Sequence, residues 1–289
     1  MPKITPLHEI IERQYDKRLL IFAISSGCAG CGGGIVAQAL ARALDRIGIS
    51  HDSLVIVQGI TCSGSQVGAL SCNLVGSLHG RALPMATGLK LIRPELTVLV
   101  IQGDGDAVAI GGNHFIHAAR RNVDVTTIVN NNFTYGRTGG QHGPTTPEGA
   151  LAPSAPFGTI EPPFDVCRLA EAAGATFVAR GTTYHAIELI NTLEKAIRHR
   201  GFSVVEVITQ CPSSFGRRNP GLTGGTAPEM MKWMRDNTAS IESAREMSDD
   251  QLKDKIIRGI FVDRETPGYG DKYQHIIRMA QQGGWREND

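Results

Sequence analysis

The sequence has little net charge, few aromatic residues and no long apolar run. Its 29 Lys and Arg residues are matched by 28 Asp and Glu residues, which leaves a net charge of +1 at pH 7. Binding to nucleic acid or to a membrane surface through overall charge is therefore not expected. No stretch approaches the ~18 consecutive apolar residues of a membrane-spanning helix, and the first residues lack an apolar signal core. We expect a cytoplasmic protein.

Hydrophobic patterning predicts an α/β fold. Six Val-, Ile- and Leu-rich segments are typical of strands covered on both faces, at 19–24, 53–59, 96–103, 123–130, 175–180 and 202–209. Segments of helical periodicity lie between most of them, at 33–47, 83–91, 112–121, 166–173 and 184–199. The alternation predicts a mainly parallel sheet with helices on both faces, and ligands bind such sheets beyond the carboxyl ends of the strands.

Two segments differ from this pattern. The range 144–163 carries six of the 14 prolines, which predicts a semi-rigid loop that contacts a ligand or a partner. After Asn219 the alternation stops, and residues 221–289 are charged and helical in pattern. We therefore expect an α/β domain over 1–220 and a helical C-terminal appendage over 221–289 that contacts another subunit.

The strongest motif follows two neighbouring strands. GDGD, Gly103 to Asp106, ends one strand, and NNN, Asn130 to Asn132, ends the next. Adjacent parallel strands lie about 5 Å apart, so Asp104 and Asn132 could share one Mg²⁺. The glycines would let backbone amides approach a diphosphate. GDG, a helix, a strand and NN together form the thiamine diphosphate motif, although each end alone could be an ordinary turn.

A second polypeptide is also expected. Thiamine diphosphate enzymes need a carboxylate in a separate pyrimidine-binding domain, which activates the cofactor. The sequence contains one α/β unit and offers no second one for that carboxylate, so another chain should complete the active site.

Four of the six cysteines follow predicted strands: Cys28, Cys31, Cys62 and Cys211. Thiols at corresponding ends of one sheet indicate a four-cysteine metal centre, either an iron–sulfur cluster or zinc. The CAGC segment could instead be a redox dithiol, or the cysteines could be unrelated core residues. Cys72 and Cys167 are expected to be buried thiols.

Several motifs together resemble the beta subunit of 2-oxoacid:ferredoxin oxidoreductases. They run in order over residues 20–220 as GCAGCG, GITCSGS, SLHGRALPMATGLK, GDGDAVAIGGNHFIHAARRN, NNNFTYGRTGGQHGPTTP and QCPSSFGRRN. The sequence looks most similar to the 2-oxoglutarate branch, with pyruvate or a branched-chain 2-oxoacid as alternative substrates. The resemblance implies reversible oxidative decarboxylation with coenzyme A and ferredoxin, and a larger alpha subunit that supplies the missing half.

The resemblance also implies roles for single residues. The four cysteines would hold one [4Fe–4S] cluster, and Asp104, Asn132 and the Thr134 backbone would bind Mg²⁺. The positions expected to line the cofactor are Ile60, Cys62, Ser63, His79, Gly103, Gly105, Asp106, Tyr135 and Gly136. Candidates for catalytic or substrate contact are His79, Arg81 and Arg137; Arg137 could meet a second substrate carboxylate, and the alternative is that these three are structural or surface residues.

Two other functions remain open at this point. One is a non-redox thiamine-dependent decarboxylase or synthase half with structural zinc. The other is a catalytically silent metal scaffold that only binds a partner.

Overall fold

The computed structural model describes residues 5–15, 27–62, 64–68, 70–253 and 255–282. The predicted strand at 19–24 and the predicted cofactor contact Ser63 lie outside the described residues.

An eight-stranded sheet runs through the described chain. Its strands are β1 (Leu54–Gln58), β2 (Asn73–Gly76), β3 (Thr97–Gly103), β4 (Val125–Asn131), β7 (Phe177–Thr182), β8 (Phe202–Ile208), β9 (Thr238–Ser240) and β10 (Ile256–Asp263). The order across the sheet is β2-β1-β3-β4-β8-β7-β10-β9, and its first six strands are parallel. Strands β5 (Thr134–Tyr135) and β6 (Gln141–His142) form a separate antiparallel hairpin. The predicted mainly parallel sheet is confirmed.

Helices cover both faces of the sheet, as predicted. They are α1 (Leu7–Gln14), α2 (Gly33–Ile47), α3 (Gly64–Val67), α4 (Ala82–Ile92), α5 (Gly112–Arg121), α6 (Val166–Ala172), α7 (Ala186–Arg198), α8 (Pro220–Thr223), α9 (Ala227–Asn237), α10 (Ile241–Ala244), α11 (Asp249–Leu252) and α12 (Tyr269–Gln281). Wide π-helical turns span Gly105–Ile110 and Pro212–Gly216.

Alternating residues of each central strand enter two separate cores. In β3, Leu99 and Ile101 belong to the first core, which they share with α2 and α7. Val98 and Val100 belong to the second core, which they share with α4 and α5. Burying such a side chain contributes about 1.5–3 kcal/mol. The polar side chains that reach the site from β3 and β4 lie at the carboxyl ends of these strands, at Gln102, Asn130 and Asn131.

The C-terminal region differs from the prediction, because it is not helical alone. Strand β10 pairs antiparallel with β7, and β9 pairs with β10, so this region extends the main sheet. Most residues of the segment 256–263 are half-buried. Its sequence therefore lacks the continuous apolar run by which the central strands were predicted.

A third core connects this region to the rest of the chain. Its buried members are Phe133, Ala150, Ile208, Cys211, Phe215, Met230 and Met234. The two methionines are each 1% exposed within the chain itself. These two side chains therefore pack within the described fold.

Candidate functional site: a cofactor cleft beside four cysteines

The ends of β3 and β4 lie side by side and open into one cleft. Gly103 at the end of β3 is in register with Asn130 near the end of β4. The cleft has an empty volume of about 510 Å³, and its lining residues are Ile60, Thr61, Cys62, His79, Gly103, Asp104, Gly105, Asp106, Asn130, Asn132, Thr134, Tyr135, Gly136, Arg137 and Thr138. Apart from Ser63, every residue predicted to line the cofactor is present in this set, and Arg81 is not.

Asp104 lies at the base of the cleft with only 3% of its surface exposed. Burial raises the pKa of this carboxyl to about 6, and the Thr145 hydroxyl acts in the opposite direction. Thr145 donates to Asp104 Oδ2 over 2.6 Å. A charged carboxylate in this position calls for a nearby cation, since desolvation is costly for an isolated charge.

Other oxygen atoms suited to a hard cation line the same cleft as this carboxylate. Asn132 follows β4, and its Oδ1 accepts from the backbone amide of Thr134 over 3.2 Å. Asn130 is 2% exposed, and its Oδ1 has no hydrogen-bond partner within the described chain. A buried acceptor without a partner is rare and costly, so the oxygen of Asn130 fits a cleft that receives a ligand. The donor set of carboxylate, amide and backbone oxygens is the kind that Mg²⁺ prefers.

Asp106 has a different task from Asp104. Its Oδ1 accepts from the Gly80 amide over 2.7 Å, and its Oδ2 accepts from Gln102 over 2.9 Å. The ring nitrogen Nε2 of His79 lies 3.6 Å from Oδ1. Asp106 therefore fixes the loop that carries His79 against the cleft, and its carboxylate is occupied by protein donors.

The cleft wall leaves no room for side chains at its glycines. A Cβ atom at Gly105 would lie 2.0 Å from a ring carbon of Tyr135. A Cβ at Gly136 would lie 3.2 Å from Cys62 Sγ and 3.7 Å from Cys211 Sγ. The missing side chain at Gly105 lets the Tyr135 ring pack against the backbone there, and the missing side chain at Gly136 lets the backbone pass close to the sulfurs of Cys62 and Cys211.

The four predicted cysteines converge on one pocket. It is lined by Gly27, Cys28, Cys31, Cys62, Asn132, Gly136, Arg137, Cys211, Ser213 and Ser214, and has an empty volume of about 420 Å³. Cys62, Asn132, Gly136 and Arg137 line the cofactor cleft as well, so the two pockets adjoin. Burial, followed by the thiols of Cys211 and Cys31, raises the pKa of Cys62 to about 11. Thiols that influence each other in this way become thiolates when a metal centre binds.

In the described structure, the sulfur atoms of the four cysteines do not form a closed tetrahedral zinc site. Zinc bonds sulfur at about 2.3 Å in a tetrahedron, which places neighbouring sulfurs roughly 3.8 Å apart. In the described ranges, the one trio of potential ligands within 4.8 Å of each other is Asp165, Cys167 and Glu206. Among the described residues, no three of the four converging cysteines have sulfur atoms that close. The trio itself is bridged by Arg180, which donates to both carboxylates over 2.6 Å, and is an ion-pair cluster.

The remaining predicted residues lie around these two pockets. Arg137 is exposed and lines both of them. Arg81 is exposed outside the cleft, and its guanidinium contacts the carbonyls of Gly80 and Ile110. Cys167 is buried and Cys72 is half-buried against the first core, in agreement with their interpretation as packing thiols.

The sequence did not reveal a polar network beneath Asp104. Thr145 also contacts Asn131 Oδ1 over 2.9 Å, and Asn131 donates to the buried Glu206 over 2.8 Å. Thr145 belongs to the proline-rich loop, 41 residues from Asp104. The sequence predicts that this loop contacts a ligand or a partner. It does not predict that the Thr145 hydroxyl reaches Asp104, because that contact depends on the fold.

No helix in the described ranges is long and apolar enough to cross a membrane.

Comparison with known proteins agrees with the geometry of the cleft. Residues 63–207 match the family described as thiamine pyrophosphate enzyme, C-terminal TPP binding domain. The 2-oxoglutarate synthase subunit KorB of Methanothermobacter thermautotrophicus is 46% identical over 86% of this chain and 86% of that protein. For the KorB of Methanocaldococcus jannaschii, the identity is 44% over 88% of this chain and 93% of that protein.

A solved structure extends the comparison. The 2-oxoglutarate:ferredoxin oxidoreductase from Magnetococcus marinus, with 2-oxoglutarate, coenzyme A and succinyl-CoA bound, has a TM-score of 0.78 and 29% identity. The match covers 91% of this chain and 88% of that chain. The chain therefore belongs to the family of KorB subunits of 2-oxoglutarate synthase, and it carries a thiamine pyrophosphate-binding domain.

Proposed function

We propose that the chain is the beta subunit of a 2-oxoglutarate:ferredoxin oxidoreductase. It would bind thiamine diphosphate and Mg²⁺ in the cleft and one [4Fe–4S] cluster on Cys28, Cys31, Cys62 and Cys211. With coenzyme A, the assembled enzyme converts 2-oxoglutarate to succinyl-CoA and CO₂, reversibly, and ferredoxin exchanges the electrons. The family assignment supports this reaction, and the Magnetococcus marinus relative binds the same substrate and both forms of coenzyme A.

The donor set supports the Mg²⁺ assignment. Asp104 would supply a carboxylate oxygen, Asn132 an amide oxygen and Thr134 a backbone oxygen. The carboxylate is buried and directed by Thr145, so the side chain is already oriented before the cation arrives. Phosphate oxygens and water would complete an octahedral site.

The observation that carries the redox proposal is the position of the cysteine pocket. Four thiols from three separate segments line one cavity that shares four residues with the cofactor cleft. Bound thiamine diphosphate supplies a carbanion equivalent for cleavage beside the 2-oxo group, and an adjacent cluster accepts electrons one at a time. The similarity to a ferredoxin oxidoreductase favours such a cluster over structural zinc.

Residues of the chain then have distinct tasks. Asp106 holds the His79 loop, so that this imidazole faces the cleft beside Tyr135, with the ring centroids 6.2 Å apart. Arg137 would attract the distal carboxylate of 2-oxoglutarate, because it is exposed at the shared rim of both pockets. Arg81 would act at the surface outside the cleft.

A larger alpha subunit would provide the pyrimidine-side carboxylate and most of the substrate pocket. We also propose that 1–220 is the cofactor domain and that the exposed parts of 221–289 contact that subunit. A reducing cytoplasm suits six cysteines of which four would bind iron.

Anaerobic purification with the larger subunit, followed by iron, sulfide, zinc and thiamine diphosphate analysis, tests this function. We expect about four iron atoms and four sulfides bound through this chain, with loss of iron in a Cys62→Ser variant. Cys72→Ser is the matched control, because this thiol packs against the first core and should leave the iron content unchanged. Zinc in place of iron, with thiamine diphosphate still bound, would instead establish the non-redox half-enzyme.

A further inference from the structure

Phe133 has a backbone conformation that large side chains rarely adopt. Its φ is +63°, and Asn122 is the other non-glycine residue with positive φ in the described ranges. Asparagine is common in the left-handed region because its side chain bonds locally, whereas a bulky residue there is a steric outlier. A conformation of this kind persists only where the surrounding structure enforces it.

The outlier lies between two positions assigned to Mg²⁺. Asn132 precedes Phe133 and Thr134 follows it. The Phe133 amide donates to Asn131 Oδ1 over 3.1 Å, and its carbonyl accepts from the Thr146 hydroxyl over 2.6 Å. Hydrogen bonds therefore hold the peptide groups on both sides of Phe133. The φ angle of Phe133 then sets the direction of the Asn132 side-chain oxygen relative to the Thr134 carbonyl oxygen.

The Phe133 ring is anchored in the third core. Its centroid lies 5.5 Å from that of Phe215 and 6.4 Å from that of Trp233. Phe215 is in the turn after Cys211, and Trp233 belongs to α9. Met230 and Met234 of the same helix are each 1% exposed in this core. The side chain is only 6% exposed, so the ring cannot leave the core without opening it.

We propose that Phe133 is a positioning residue for the metal–diphosphate site. Packing of its ring against Phe215 and α9 holds the left-handed backbone that directs the Asn132 side chain and the Thr134 carbonyl to one Mg²⁺. This inference rests on the proposed function, since it needs Mg²⁺ at these residues. It assigns helix α9 a role in cofactor binding, although that helix lines neither pocket.

Substitution by alanine and by glycine separates this role from simple core filling. Both variants lose the ring and about the same packing. Only glycine adopts the left-handed region without steric cost, whereas alanine there is disfavoured by an amount that corresponds to about tenfold in an equilibrium. If the backbone angle matters, Phe133→Gly retains cofactor affinity better than Phe133→Ala.

The experiment uses the complex with the larger subunit, stripped of cofactor by dialysis against EDTA. Calorimetry gives the thiamine diphosphate Kd at a fixed Mg²⁺ concentration, and thermal unfolding gives stability. We expect Phe133→Ala to bind thiamine diphosphate about tenfold more weakly than Phe133→Gly, with similar losses in Tm. Leu193→Ala, in the first core, is the control for lost packing and should leave the Kd unchanged.

Equal affinities for the alanine and glycine variants would overturn the inference and make Phe133 a packing residue. A wild-type complex that binds no thiamine diphosphate would overturn the proposed function and this inference with it. If either Phe133 variant fails to assemble, Met234→Ala is the milder test, since it loosens the anchor and leaves Phe133 in place. A Kd for Met234→Ala several-fold above that of Leu193→Ala supports the inference, and equal values contradict it.

Discussion

The Thr145 hydroxyl orients the Asp104 carboxylate from beneath the cleft. It lies 2.6 Å from Asp104 Oδ2, and both residues are 3% exposed. Replacing Thr145 with valine keeps the shape of the side chain and removes the donor. A hydrogen bond to a charged group in a buried site contributes about 1.5–3 kcal/mol, and loss of a group that orients a metal ligand typically costs about 10- to 100-fold in affinity.

We therefore expect Thr145→Val to weaken Mg²⁺-dependent thiamine diphosphate binding by about 10- to 100-fold. Calorimetric titration of the cofactor-free complex over a range of Mg²⁺ concentrations measures this change. Thr145→Ser keeps the hydroxyl and should bind nearly as well as the wild type.

A second control measures the general cost of a lost hydroxyl. Thr126 is buried at the start of β4, at the end of the strand away from the cleft, and its hydroxyl donates to the Ala196 carbonyl over 3.0 Å. Thr126→Val should lower stability by about 1 kcal/mol without changing the Mg²⁺ dependence. A Thr145→Val complex with a Kd within threefold of wild type would refute the claim that Thr145 orients the metal ligand.

Three further predictions concern other parts of the site. Gly105→Ala should weaken cofactor binding, measured by calorimetry, because its Cβ would lie 2.0 Å from a ring carbon of Tyr135 and would displace that ring from the cleft wall; unchanged affinity would contradict the closed arrangement. Gly30→Ala should lower the iron content, since Gly30 has φ +77° and the new Cβ would lie 2.6 Å from Ala227 Cβ. Adding Ala227→Gly removes the clash and should restore part of the iron, whereas no restoration would assign the whole loss to the backbone conformation of Gly30. Cys211→Ser should release iron while thiamine diphosphate remains bound, and retained iron would remove Cys211 from the ligand set.

The sheet could be predicted because its strands are apolar on both faces. Each of the five described strand predictions corresponds to an observed strand, and the helices at 33–47 and 112–121 have the predicted bounds. Strand β10 could not be predicted in the same way. It lies toward the edge of the sheet with most residues half-buried, and its pairing with β7 depends on tertiary contacts that leave no continuous apolar run.

The residues of the site also fall into those that the sequence predicts and those that it does not. Asp104 and the cysteines carry distinctive residue types at strand ends, so topology alone predicts that they converge. Thr145, Glu206 and Phe133 are of common types, and their relevance comes from partners that are distant in the chain or from one backbone angle. Sequence patterns record neither property, which is why the orienting network and the anchored turn emerged only with the structure.

The central claim is that electrons from 2-oxoglutarate reach a cluster on this chain. Electron paramagnetic resonance of the anaerobic complex, before and after addition of 2-oxoglutarate and coenzyme A, tests it most directly. We predict a reduced-cluster signal that requires 2-oxoglutarate and is absent from the Cys62→Ser variant. Turnover of 2-oxoglutarate with no such signal, or the same signal in Cys62→Ser, would contradict the proposal.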